Sequence, residues 1–307
     1  GKQIYFSANR FEDWQYRFRN SEVYSINVDT KQIEVLTNQD GPDYSPKMSP
    51  NGKTIAYLGY EDKQQDHQKT LLHLMDIDGS NKRTISADFF ESVSNITWDK
   101  SSKGLYFQYD EKGNSKIGYI SSSGEVEKIA DNVGGTTIGR PYASGSYSVS
   151  NDGAIAYTQS PPEYPADIAV VSKGKSAKRI TQLNSDILNF RELGKTEEVW
   201  YKSTFDGRDI QGWIVKPPFY DDSKPYPLLV ENHGGPILNY GDRFTAEIQL
   251  YAAEGYVVFY PNPRGSTSYG EEFGNLLKNN YPGQDYNDVM DGVDHLIEKG
   301  IADKDNL

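Results

Sequence analysis

The strongest constraint on how this chain can fold is a strand-and-turn pattern that returns about every 50 residues. It appears in "GKQIYF", "SPNGKTIAYL", "DKSSKGLYFQY" and "SNDGAIAYTQ"; aligned on Ile4, Ile55, Leu105 and Ile155, the copies are spaced by 51, 50 and 50 residues. The later copies open on a turn pair (Asn51–Gly52, Lys103–Gly104, Asp152–Gly153) and run into a short strand. A second strand with its own turn follows each, in "SEVYSINVDTKQIEVLT", "LLHLMDIDGSNKRTIS", "SKIGYISSSGEVEKIA" and "ADIAVVSKGKSAKRITQL". Alternation of apolar and polar residues turns one face of each strand inward. A repeat of this length with several short strands predicts β-propeller blades, with a solenoid as the alternative. Four copies are few for a closed ring, so residues 1–184 are expected to be a partial propeller of about four blades. Gly1 leads directly into strand-like "QIYF", and the expectation is that the native start lies upstream.

After about Asn184 the repeat stops. "EEVWYKSTFDGRDIQGWIVKPP" predicts a hairpin turning at Asp206–Gly207. Beyond a polar, proline-containing loop the period changes. "PLLVENHG" and "YVVFYPNPRG" are continuous apolar strands, "RFTAEIQLYAAEG" a helix closed by Gly255, and "DYNDVMDGVDHLIEKG" a helix stopped by Gly300. Its apolar stripe is expected to be Tyr286, Val289, Met290, Val293, Leu296 and Ile297. Apolar strands alternating with helices predict a parallel α/β sheet, so residues 185–307 form a second domain.

Composition excludes several functions. A net charge of −12 argues against nucleic acid as a partner. The chain has no cysteine, which excludes disulfides and thiolate zinc sites, and no cofactor or metal site is expected. The regular acidic spacing of Asp285, Asp288, Asp291 and Asp294 reads as solvated helix charge. No apolar run approaches the length that spans a bilayer. Compartment and oligomeric state stay open, with a periplasmic or secreted location preferred over the cytoplasm.

The chemistry-bearing stretch is "PLLVENHGGP", residues 227–236. A buried strand ends in His233, Gly234, Gly235 and Pro236. In α/β-hydrolases the loop after an early core strand supplies one N–H of the oxyanion hole, often from such a sequence. Glycines allow positive φ and close approach of backbone to substrate, and proline stiffens the exit. The loop of Gly234 and Gly235 is therefore expected to supply an oxyanion donor. His233 precedes any nucleophile, whereas the catalytic base of this fold comes late in the chain; it is expected to shape the loop instead. His67, His73 and His295 read as structural. Arg264 ends the second strand, where α/β sites form, and is expected to pair with Asp285 or Asp288 beneath the site.

Together, "ENHGGP", "AAEGYVVFYPNPRGSTSYGEEF" and "GQDYNDVMDGVDHLIEKGIADKDNL" resemble the prolyl oligopeptidase family of serine peptidases, closest to its acylaminoacyl-peptidase and dipeptidyl-peptidase branch. "SPNGKTIAYLGY" resembles the propeller repeat of TolB-like proteins. The resemblance implies a β-propeller followed by an α/β-hydrolase domain, of which this chain holds only the N-terminal part. It also implies hydrolysis of short peptides near their N-terminus, by a serine nucleophile, a histidine base and an orienting aspartate, with Gly235, or Gly234 as the alternative, offering its N–H to the oxyanion.

No G-x-S-x-G is present; "STSYG" has Ser266 where glycine must stand. By the resemblance, the nucleophile strand follows a segment like "GIADKDNL", so the triad is expected beyond Leu307, with roughly a hundred residues missing. This piece alone is expected to be inactive and poorly soluble, with an unpaired sheet edge. The competing readings are a non-catalytic propeller binding protein with a degenerate hydrolase remnant, and an esterase of the same fold.

Overall fold

The computed structural model describes residues 2–135 and 137–307; Gly1, on which the reading of the N-terminus rests, and Thr136 lie outside the described residues. The strand-and-turn copies form four consecutive sheets. The first has three strands, Gln3–Ala8, Glu22–Asn27 and Ile33–Val35, and the next three have four strands each. The second runs Asp43–Met48, Thr54–Gly59, Leu71–Asp76 and Arg83–Thr84, each strand beside its predecessor. The third is built from Ser94–Trp98, Gly104–Glu111, Asn114–Ser121 and Val126–Ala130, and the fourth from Tyr147–Val149, Ile155–Gln159, Asp167–Val171 and Lys178–Arg179.

The repeat is also visible in the backbone. Ser45 and Asn95 take positive φ (52° and 48°) where the first strand of their sheets shifts register. Gly52, Ser102 and Gly153 take positive φ in the turns before the second strands. The third turn therefore bends at Ser102, and the expected turn glycine, Gly104, opens the strand instead. Ile55, Leu105 and Ile155 are fully buried, but Ile4 is 55% exposed. Its strand lies at the edge of its sheet, whereas the matching strands are flanked on both sides.

Contacts gather the chain into two compact units: residues 1–109, 117–129 and 149–153, and residues 110–116, 130–148 and 154–307. The first has cores around Leu72, Leu74, Leu105 and Phe107, and around Val23, Ile55 and Met75. His73 is held there between Thr84 Oγ1 and the Gly59 carbonyl, stacked on Tyr57, which fits a structural histidine.

The second unit contains a mixed sheet. Lys195–Lys202 and Asp209–Lys216 form the expected hairpin. Asp209–Lys216 pairs antiparallel with Val257–Asn262, which pairs parallel with Leu228–Val230. The parallel expectation thus holds for the two apolar strands, and the hairpin joins them in the opposite sense. Helix Ala246–Ala253 ends before Gly255 (φ 96°), and helix Asp285–Glu298 before Gly300 (φ 72°). Val293 and Leu296 pack with Tyr201, Ile210 and Phe259. Tyr286 is 67% exposed and is not part of that face; Asp288 is buried in its stead.

Candidate active site

The strands Leu228–Val230 and Val257–Asn262 run parallel, so their following loops leave the sheet at the same edge. This brings two distant sequences together: His233–Gly234–Gly235–Pro236 after one strand, and Pro263–Arg264–Gly265–Ser266 after the other. The first loop is tied at both ends. Glu231 N donates to Phe259 O (2.8 Å), the last bond before the chain leaves the sheet. At the far end Asn262 exchanges two bonds with Tyr240: Tyr240 N donates to Asn262 Oδ1 (2.9 Å) and Asn262 Nδ2 to Tyr240 O (2.9 Å). Tyr240 is fully buried, and its hydroxyl donates to Glu231 Oε1 (2.9 Å).

Between these ties the loop arches outward. Gly234 and Gly235 are exposed, and among the described residues neither amide N–H donates to another group. Gly235 has φ 131°, which a side chain would strain, and an added Cβ would lie 3.1 Å from Leu238 Cγ and from Ile237 N. Gly234 has open space in the corresponding direction. The loop therefore presents two free amide hydrogens at the carboxyl edge of a parallel strand pair, with the glycine requirement sharpest at Gly235.

His233 faces the second loop. Its Nε2 lies 3.0 Å from Ser266 Oγ, and its Nδ1 3.1 Å from the Gly234 carbonyl. Burial lowers its pKa, opposed by the Gly234 carbonyl, so the ring is neutral at physiological pH. His233, Pro236, Pro263, Leu277 and Met290 help line a cavity of about 420 Å³.

Arg264 lies beneath the loops, 3% exposed. Of its two candidate partners it meets Asp288, with Nε donating to Oδ2 and Nη2 to Oδ1, both at 2.8 Å. Asp285 instead accepts the Gly283 N–H. Arg264 Nη1 donates to Asp206 Oδ2 (3.2 Å) and Nη2 to Ser203 Oγ (2.9 Å), so the hairpin turn is drawn in. Burial works to raise the Asp206 carboxyl, but the Arg208 amide and the Arg264 guanidinium outweigh it and hold it below its ordinary value. With its donors committed inward, Arg264 braces the floor. Asp288 is fully buried, which corrects its reading as solvated charge, and Asp291 accepts from Thr204 N (2.7 Å).

Sequence reasoning read Asp206 only as a turn residue and Ser266 only as a failed nucleophile motif. Their signals were present, in an aspartate opposite an arginine at a strand end and in consecutive hydroxyl residues after a Pro-Arg-Gly turn. Among the described residues no group of three histidine or carboxylate side chains is placed to hold a metal ion, and no helix is long and apolar enough to cross a membrane.

Residues 242–307 match the prolyl oligopeptidase family model. An uncharacterized peptidase, YuxL of Bacillus subtilis, is 34% identical over 203 residues, 66% of this chain and 30% of its own length. Dipeptidyl-peptidase 5 of Porphyromonas gingivalis is 27% identical across 100% of this chain and 44% of its own length. Among solved structures, Pyrococcus horikoshii acylaminoacyl peptidase superposes with a TM-score of 0.80 at 24% identity, over 99% of this chain and 46% of that one. The chain spans less than half the length of these proteins.

Proposed function

We propose that this chain, which belongs to the prolyl oligopeptidase family, supplies the oxyanion-binding loop of a serine-type peptidase that hydrolyses short peptides near their N-terminus. In this reading residues 1–184 are propeller blades, about four of them, that restrict entry to small peptides, and residues 185–307 are the first part of the hydrolase domain. The observation that carries it is the pair of uncommitted amides of Gly234 and Gly235 at the carboxyl edge of the parallel strands.

An oxyanion develops on the scissile carbonyl when a serine attacks it, and donors aimed there in advance stabilise it without reorganising. Gly235 N–H is the first donor; the second comes from the residue after the nucleophile. The side of Leu228–Val230 away from Val257–Asn262 supports a place for that nucleophile. Tyr226 N donates to Ile301 O (3.0 Å), Asp303 N to Tyr226 O (2.8 Å) and Leu228 N to Asn306 O (3.0 Å). A strand continuing this ladder runs parallel to Leu228–Val230 and brings its carboxyl end beside Gly234 and Gly235.

The test is the full-length protein carrying this chain, treated with a fluorophosphonate and assayed on dipeptidyl- and acylaminoacyl-arylamides beside matched acyl esters. Covalent labelling of one serine with arylamide turnover is expected. Absence of labelling, or turnover of esters alone, refutes the peptidase reading.

A further inference from the structure

Ser266, the near miss for a nucleophile, is fully buried, and its hydroxyl donates to Pro263 O at 2.6 Å. It does not attack substrate, yet it touches the loop that the peptidase reading depends on. Three contacts meet here: Ser266 Oγ to Pro263 O, His233 Nε2 to Ser266 Oγ at 3.0 Å, and His233 Nδ1 to Gly234 O at 3.1 Å. Filling all three takes three hydrogens, but a neutral imidazole and one hydroxyl hold two. One contact must go without.

Distance and exposure decide which. Two oxygens at 2.6 Å need a proton between them, so the hydroxyl hydrogen points at the Pro263 carbonyl and Ser266 Oγ can only accept from the ring. Of the two ring contacts, the one to Gly234 O is exposed, where water can serve a bare Nδ1, whereas the one to the fully buried Ser266 is the costlier to leave unfilled, so the ring hydrogen sits on Nε2. The neighbouring residue secures the other end of the arch: Thr267 N donates to Leu238 O (3.0 Å) and Thr267 Oγ1 to Asn239 Oδ1 (2.7 Å).

We infer that Ser266 is a positioning residue for the oxyanion loop: it holds His233 as the Nε2–H tautomer and thereby sets the peptide planes of Gly234 and Gly235, while Thr267 fixes the loop's exit. The inference rests on the peptidase reading for its catalytic consequence and on the hydrogen count for the geometry.

The experiment uses the full-length protein with ¹⁵N-labelled histidine. In the wild type, His233 shows a protonated Nε2 and a bare Nδ1 at neutral pH; a protonated Nδ1 with a bare Nε2 overturns the inference. Ser266→Ala loses the single tautomer and lowers kcat about 10- to 50-fold, less than removal of an oxyanion donor itself. KM stays within about twofold, because the ground-state carbonyl gains little from the loop. Ser266→Thr, which keeps the hydroxyl, recovers the tautomer and most of kcat. Wild-type kcat in folded, active-site-titrated Ser266→Ala overturns the inference, even with a lowered melting temperature. If the wild type turns over no peptide, the peptidase reading fails on its own, and the ring resonances of the wild type and Ser266→Ala still decide whether Ser266 orients His233.

Discussion

Replacing Gly235 by alanine, with Gly234→Ala as its partner, separates the two candidate donors. At φ 131° an alanine is strained by about 1–3 kcal/mol, and its methyl meets Ile237 N and Leu238 Cγ at 3.1 Å. The cheapest relief is rotation of residue 235 out of the positive-φ region, which swings its N–H away from the substrate carbonyl. On the proposed reading this loses one oxyanion donor and raises the barrier by about 3–4 kcal/mol, so kcat of the full-length protein should fall about 10²- to 10³-fold with little change in KM. Gly234 has no atom within 4 Å of an added Cβ and is not in the positive-φ region, so Gly234→Ala should stay within about threefold of wild type. Steady-state kinetics on an arylamide substrate, with thermal melts to confirm folding, read both variants. Equal losses in the two, or a wild-type kcat in Gly235→Ala, would refute the assignment of Gly235.

Arg264→Met strands the fully buried Asp288 carboxylate and should destabilise the protein by about 3–5 kcal/mol, while Asp294→Ala on the exposed face of the same helix should change stability by about 0.5 kcal/mol or less; denaturant midpoints compare them. Gly113 has φ 73°, and an added Cβ would enter the Trp213 indole, so Gly113→Ala should cost about 2–4 kcal/mol, against about 1 kcal/mol for Gly52→Ala, which has φ 71° and open space. Burial pushes the Asp242 carboxyl up to about 6, against the pull of Arg243 and Asn114. Its folded value lies above its unfolded one, so the native state binds the proton more readily and Asp242 makes stability fall as pH rises from about 4 to about 6. Asp242→Asn should remove a loss of about 3 kcal/mol that builds up across that window, so its stability curve follows the wild type below about pH 4 and lies above it, running parallel, beyond about pH 6, as measured by unfolding at a series of pH values.

Much of this arrangement was legible because it is carried by local pattern. The 50-residue spacing of Ile4, Ile55, Leu105 and Ile155 marked equivalent strands, since burial of one face forces apolar residues to recur. Gly255 and Gly300 marked helix ends because only a residue tolerant of positive φ closes a helix cheaply. "HGGP" was legible as a loop because glycine pairs after an apolar strand have few other uses. What stayed hidden depends on contacts between segments far apart in sequence. Arg243 lies buried against Gly113 and Pro141, more than a hundred residues away, and nothing in "GDRF" distinguishes it from a surface arginine. An aspartate partner for Arg264 was legible, but the even spacing of the four helix carboxylates does not say that Asp288, and not Asp285, is the buried one. Tyr286 fitted the apolar stripe by spacing, but lies on the first turn of its helix, outside the packed core.

The three hydroxyl residues after Gly265 address three different stretches of chain. Ser266 reaches His233, Thr267 reaches Leu238 and Asn239, and Ser268 receives the amides of Lys112 and Gly113 on its carbonyl and hydroxyl oxygens. Because successive side chains point in different directions, inserting or deleting one residue there would hand every contact to the wrong neighbour at once. A substitution in this segment costs one contact, whereas a change of length costs them all, so related chains should keep the interval between Asn262 and Gly270 constant even where single residues differ.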